Sequence, residues 1–140
     1  MRAVIWFFSG ILLCLFVKDM ICFWTMHEKI AASLEIATDA AIINSLIEQD
    51  ILKGTCFIDE GKAEETLKKY FMKNLEIEKL QRKGILKKTK LDLAFSHNAT
   101  NPSIYVYMEA VMTVMTPRLI GLEGIPIIIT KEKCFQSNYR

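Results

Sequence analysis

Proline, glycine and histidine are scarce in this 140-residue chain, which holds 3, 6 and 2 of them. The scarcity is also local. Neither Pro nor Gly occurs between Gly10 and Gly54, so none of the usual breakers interrupts a helix there. The two histidines leave little room for metal or nucleophile chemistry. His27-Glu28-Lys29-Ile30-Ala31 starts the two-histidine zinc pattern but has Ala31 where the second imidazole is required. Gly61-Lys62 lacks both the earlier glycine and the following hydroxyl of a phosphate loop. Ser96 and His97 are only neighbours in sequence, and no acid with an orienting role is evident. The expectation is a non-enzymatic protein without cofactor or metal.

A cleavage site is missing as well. Residues 3 to 26 read AVIWFFSGILLCLFVKDMICFWTM, an apolar run broken once, by Lys18 and Asp19. Lys18 to Met26 offer no pair of small residues at signal-peptidase spacing, and Ala31-Ala32-Ser33 lies too far on. No small residue stands ahead of Cys14 or Cys22 in the manner of a lipoprotein site. An uncleaved anchor is therefore expected. A helix over 3–17 alone would rise about 22 Å, short of a hydrocarbon core of about 30 Å, whereas 3–26 would rise about 36 Å. The longer span costs on the order of 3 kcal/mol for each buried charge at the bilayer centre, less where Lys snorkels. Trp24 and His27 then fall near the headgroups. With Arg2 before the span and acidic sequence after it, the positive-inside rule predicts a cytoplasmic amino terminus and an extracytoplasmic domain.

The periodicity continues past the span. In residues 27 to 50, Ile30, Leu34, Ala37 and Ala41 share one stripe, and Ile36, Ala40, Ile43 and Ile47 an adjacent one, opposite Glu28, Glu35 and Asp39. The expected organisation is a transmembrane anchor over 1–26, an amphipathic helical extension over 27–50 and an extracytoplasmic α+β domain over 51–140. Lys53-Gly54 marks a turn and Thr55–Ile58 a short extended piece. Asp59 is a natural N-cap for DEGKAEETLKKYFMKNL, whose Ala63, Leu67, Tyr70, Phe71 and Leu75 recur at helical spacing. Glutamates lie early in it and lysines late, in agreement with the helix dipole. KLDLAFS, SIYVYMEAVMTVMT and GIPIIITKEKCF read as three strands, separated by HNATNP and TPRLIGLEG. The predicted fold is a long helix, then a second helix packed on a small antiparallel sheet.

A long apolar amino-terminal helix that turns amphipathic and leads into a small sheet resembles pilin-like proteins. Ile58-Asp59, Ala63, Leu67, Phe71 and Asn74-Leu75, followed by a strand pair with Pro117 between, resemble the small membrane-anchored pilin-like or TadE-like proteins of Gram-positive bacteria, over residues 30 to 135. The resemblance implies an envelope subunit that associates with itself or with related pilin-like subunits. The chain departs from type IV pilins after Gly10, where ILLCLF carries no Phe and no Glu at the fifth following position. Prepilin processing is not implied. The other class of function is a monomeric anchored module that binds or regulates another envelope protein.

Charge is unevenly spread. Residues 27–50 hold five acids against one lysine, and residues 62–90 ten basic residues against four glutamates. KLQRKGILKKTK holds Lys79, Arg82, Lys83, Lys87, Lys88 and Lys90 and no acid. It reads as a solvated loop face or, functionally, as a partner surface. Little aromatic interleaving and an extracytoplasmic position argue against nucleic acid. Lys18 and Asp19 either mark the membrane edge or, under the assembly expectation, Asp19 finds the Lys18 or the terminal amine of a neighbouring copy. The same expectation sets the acids Glu28, Glu35 and Asp39 against that basic strip in another copy. Membrane lipid is the other expected partner. Cys56 and Cys134 have no metal-ligand spacing, which leaves two packed thiols or a disulfide between them.

Overall fold

The computed structural model describes residues 2–50, 55–97, 101–119 and 121–135. Helix α1 spans Arg2–Ser45, and the hairpin strands β1 and β2 span Leu46–Asp50 and Thr55–Ile58. Helices α2 (Glu60–Leu75) and α3 (Ile77–Arg82) follow, then β3 (Leu86–Ser96), β4 (Ser103–Met112), the short α4 (Met115–Leu119) and β5 (Ile125–Cys134). The architecture is α+β: a long apolar amino-terminal helix, further helices and two small antiparallel sheets. The larger sheet has the order β3-β4-β5 expected for three consecutive strands with short connections.

Local sequence explains much of this. Asp59 caps α2 by accepting the Lys62 N–H at 3.1 Å. Ala63, Leu67, Phe71 and Leu75 bury the face that their spacing marks out, while Tyr70 is left exposed. At the other end Glu76 takes the left-handed conformation, φ 50°, that glycine more often supplies. Its N–H closes on the carbonyl of Lys73, and α3 starts at once.

Strand β4 alternates as a strand with one covered face must. Ile104, Val106, Met108, Ala110 and Met112 are buried, and Tyr105 and Tyr107 face out. Leu91, Leu93 and Phe95 of β3 and Ile127 and Ile129 of β5 join the same side. Against that side α1 contributes Ile30, Leu34, Ala37 and Ala41, all fully buried. Each large side chain so buried stabilises by roughly 1.5–3 kcal/mol. α2 runs antiparallel along α1, with the Asp59 N–H donating to the Ser45 carbonyl at 2.9 Å at one end. Gly124, at the entry to β5, lies so close to β4 that a Cβ there would stand 2.3 Å from the Met112 carbonyl oxygen.

Two expectations need correction. The helical extension drawn to residue 50 stops at Ser45, and Leu46–Asp50 turn into a strand paired with β2. Further helix would have set Glu48 and Asp50 against the negative end of the dipole, whereas extension gives Leu46 and Ile47 ladder partners in Ile58 and Phe57. The strip from Lys79 to Lys90 is not a loop but the end of α3, a turn at Gly84 and the first part of β3. Leu86 is buried within it, and a bulge between Lys87 and Lys90, with Lys88 at φ 51°, exposes consecutive lysines.

Candidate functional site

α1 is long and apolar enough to cross a membrane, and its first half is almost bare. Every residue from 3 to 14 is exposed, Leu15 is partly covered, and the domain then closes on one face through Asp19, Phe23, Met26 and Ile30. On the other faces Phe16, Val17, Met20, Ile21 and Trp24 remain exposed. The domain thus begins inside the apolar run rather than after it.

Asp19 is the residue that fixes this overlap. Only 8% of it is exposed, and its Oδ2 accepts the backbone N–H of Thr116, in the first turn of α4, at 2.5 Å. The carboxylate that sequence would pair with a neighbouring helix thus has a partner within its own chain. It satisfies a donor that the start of a helix leaves open. Lys18 is exposed.

The acidic face of α1 is likewise engaged internally. Glu35 pairs with Lys131 at 3.3 Å and Asp39 with Lys133 at 2.8 Å, while Glu28 is exposed. The match is geometric: residues four apart on a helix and two apart on a strand both advance about 6 to 7 Å. Lysines that turn inward on the edge strand β5 also discourage further strand addition. Hydrogen bonding and charge from Asp39 hold the Lys133 ammonium above the usual lysine pKa.

In the basic strip, Lys79 reaches Glu76 at 3.0 Å and Lys88 reaches Glu123 at 2.6 Å. Arg82, Lys83, Lys87 and Lys90 are exposed. With Lys69 and Lys73, Lys79, Arg82 and Lys83 line an open cleft of about 760 Å³ between α2 and α3. Glu76 is held below the usual glutamate pKa, first by its hydrogen bond with Lys79 and Lys79's charge, and to a lesser degree by Lys29 of α1.

Chemistry is sparse elsewhere. No group of three or more His, Cys, Asp or Glu that could hold a metal exists among the described residues. His27 lies against the Phe23 ring, centroids 6.4 Å apart. His97 contacts Glu60 at 2.6 Å, tying the end of β3 to the start of α2, so its near partner is a carboxylate rather than Ser96. Cys134 is a free, exposed thiol 3.6 Å from Glu132, so it is not packed in the core. The Cys56 side chain lies outside the described ones. Lys131, Lys133, Glu123 and the α4 segment were not marked by sequence as site residues; only the lysine spacing carried a readable signal.

No protein-family model, curated protein or solved structure matches the chain.

Proposed function

We propose that this chain is a non-enzymatic, membrane-anchored structural or assembly subunit of the cell envelope, pilin-like in design. It crosses the membrane once through α1, with its amino terminus cytoplasmic and its domain outside. The observation that carries the reading is the fate of the two apolar stripes of α1. Ile30, Leu34, Ala37 and Ala41 are spent on the domain core, whereas Ile36 is 56% and Ile43 72% exposed. The part of the second stripe that is helical, Ile36, Ala40 and Ile43, is apolar and collinear with the span, as a helix that packs beside other helices requires.

The internal pairs made by Asp19, Glu35 and Asp39 favour a second reading, a monomeric anchored module that binds another envelope protein. One experiment separates them. Cross-linking of membranes carrying the full chain gives a ladder of self-linked species under the assembly reading, and Ile36→Lys with Ile43→Lys reduces it to background while the circular dichroism of the purified protein is unchanged. A single species leaves the monomeric module, and a ladder indifferent to both changes removes the Ile36–Ile43 stripe as the contact between copies.

A further inference from the structure

The bare part of α1 is too short for the bilayer that it is read to cross. Residues 3 to 14, free of the domain on every face, rise about 18 Å, against about 30 Å of hydrocarbon. Counted to Trp24 on the free face, the rise is about 33 Å, which is enough. The side of the domain that lies along residues 15 to 24 therefore shares depth with the membrane.

That side carries the α4 segment. Thr116 is bonded to Asp19, and Met115, Leu119 and Leu122 are all exposed, Leu119 by 63%. Such side chains are misplaced in water and suited to an acyl boundary. The backbone there is also prepared for low polarity. The Thr116 N–H goes to Asp19, Pro117 has none, the Gly121 N–H donates to the Arg118 carbonyl at 3.2 Å and the Leu122 N–H to that of Pro117 at 2.9 Å. Buried polar backbone in a membrane must be satisfied internally. The Ile85 carbonyl accepts the Thr113 N–H at 2.8 Å, which brings the end of α3, with exposed Arg82 and Lys83, near the chain that leads into α4, and Arg118 is exposed on α4 itself.

We propose that the α4 end of the domain is a membrane-seating surface, with Met115, Leu119 and Leu122 in the acyl boundary and Arg82, Lys83 and Arg118 at the phosphates of anionic lipid headgroups. The inference rests on the reading of α1 as a span. It adds a surface bound to lipid at fixed depth, and Asp19 is the pin that sets that depth.

Tryptophan makes the test direct, because the chain has only Trp6 and Trp24. The full-length protein is reconstituted into phosphatidylcholine vesicles containing phosphatidylglycerol and lipids brominated near the headgroup end of the acyl chain. Leu119→Trp and, separately, Leu122→Trp are made in a Trp6→Phe, Trp24→Phe background. Phe57→Trp in the same background is the distal control, Trp24→Phe alone reports on position 6 and Trp6→Phe alone on position 24. The seating surface requires blue-shifted emission and bromine quenching at 119 and 122, of an extent similar to that of the native Trp24, with none at 57. Quenching at 6 with neither 119 nor 122 quenched overturns the seating and leaves the anchor standing. An unquenched Trp6 overturns both.

Discussion

Removing the Asp19 carboxylate tests whether that charge serves its own chain. Asp19→Ala leaves the Thr116 N–H without its acceptor at a site where water has little access. A hydrogen bond to a charged group contributes roughly 1.5–3 kcal/mol, and the orphaned donor adds its own desolvation cost. Relief from holding an ion in an apolar setting offsets part of this, so about 1.5–3 kcal/mol is the expected local loss. Each 1.4 kcal/mol is a factor of about ten, so the Thr116 amide should exchange with solvent deuterium roughly ten- to a hundredfold faster in detergent-solubilised protein. The amides of β4 at Val106 and Met108 should keep their protection, because the core of the sheet is untouched. Asp19→Asn, which retains a carbonyl acceptor, should recover most of the effect. Unchanged exchange at Thr116 in the alanine variant, together with lost cross-linking between copies, would mean that Asp19 works between chains and that the intrachain account is wrong.

Gly124→Ala should destabilise the domain by more than about 1 kcal/mol, because the new methyl would meet the Met112 carbonyl and the φ of +156° suits glycine; a thermal melt of the pair of proteins measures it. The Lys88–Glu123 pair should matter over a defined pH range. Hydrogen bonding and charge from each partner hold Glu123 below the usual glutamate value and Lys88 above the usual lysine value. Its contribution is then present at neutral pH, lost as pH falls through the lowered carboxylate pKa and lost again above the raised lysine pKa. Glu123→Gln should lower the melting temperature slightly at pH 7 in low salt, and the gap should shrink as pH falls below the usual glutamate range; a gap that does not shrink on acidification would contradict the assignment. Cys134, exposed and free, should be alkylated rapidly in the folded protein without reductant. A mass that instead shows Cys134 joined to Cys56 would restore the disulfide.

What could be read from the sequence was whatever depended on near neighbours. The Asp59 cap, the buried face of α2 and the alternation of β4 are set by residues within one or two turns or along one strand. What could not be read was set from a distance. Asp19 finds Thr116 at a separation of 97 residues, and nothing near Asp19 announces it. Ser45 ends α1 because β2 offers Leu46 and Ile47 a ladder, again a partner out of local view. Leu86 was hidden by its neighbours: the bulge at Lys87 and Lys88 breaks the alternation that would have extended β3 backward through the basic strip. The stripes on α1 were legible as stripes, but only packing decided that Ile30, Leu34, Ala37 and Ala41 face the core while Ile36 and Ile43 do not.

The charges of this chain acquire a common logic from that packing. Glu35 and Asp39 are pinned to Lys131 and Lys133 at the end of the domain farther from the apolar run, and there the ion pairs fix how β5 lies along α1. Toward the apolar run the balance changes: Glu76 and Glu123 engage Lys79 and Lys88, and Arg82, Lys83, Lys87 and Arg118 are exposed beyond them. A helix that was only a tether would let the domain tumble, and the position of that basic end would carry no meaning. Here Asp19, Phe23, Met26 and Ile30 bind one face of the same helix to the domain over three turns, so the orientation of the domain relative to α1 is fixed. Any contact that the domain makes is made at an angle to α1 set within its own fold. The cost of ordering it was met in folding and is not repeated at each contact.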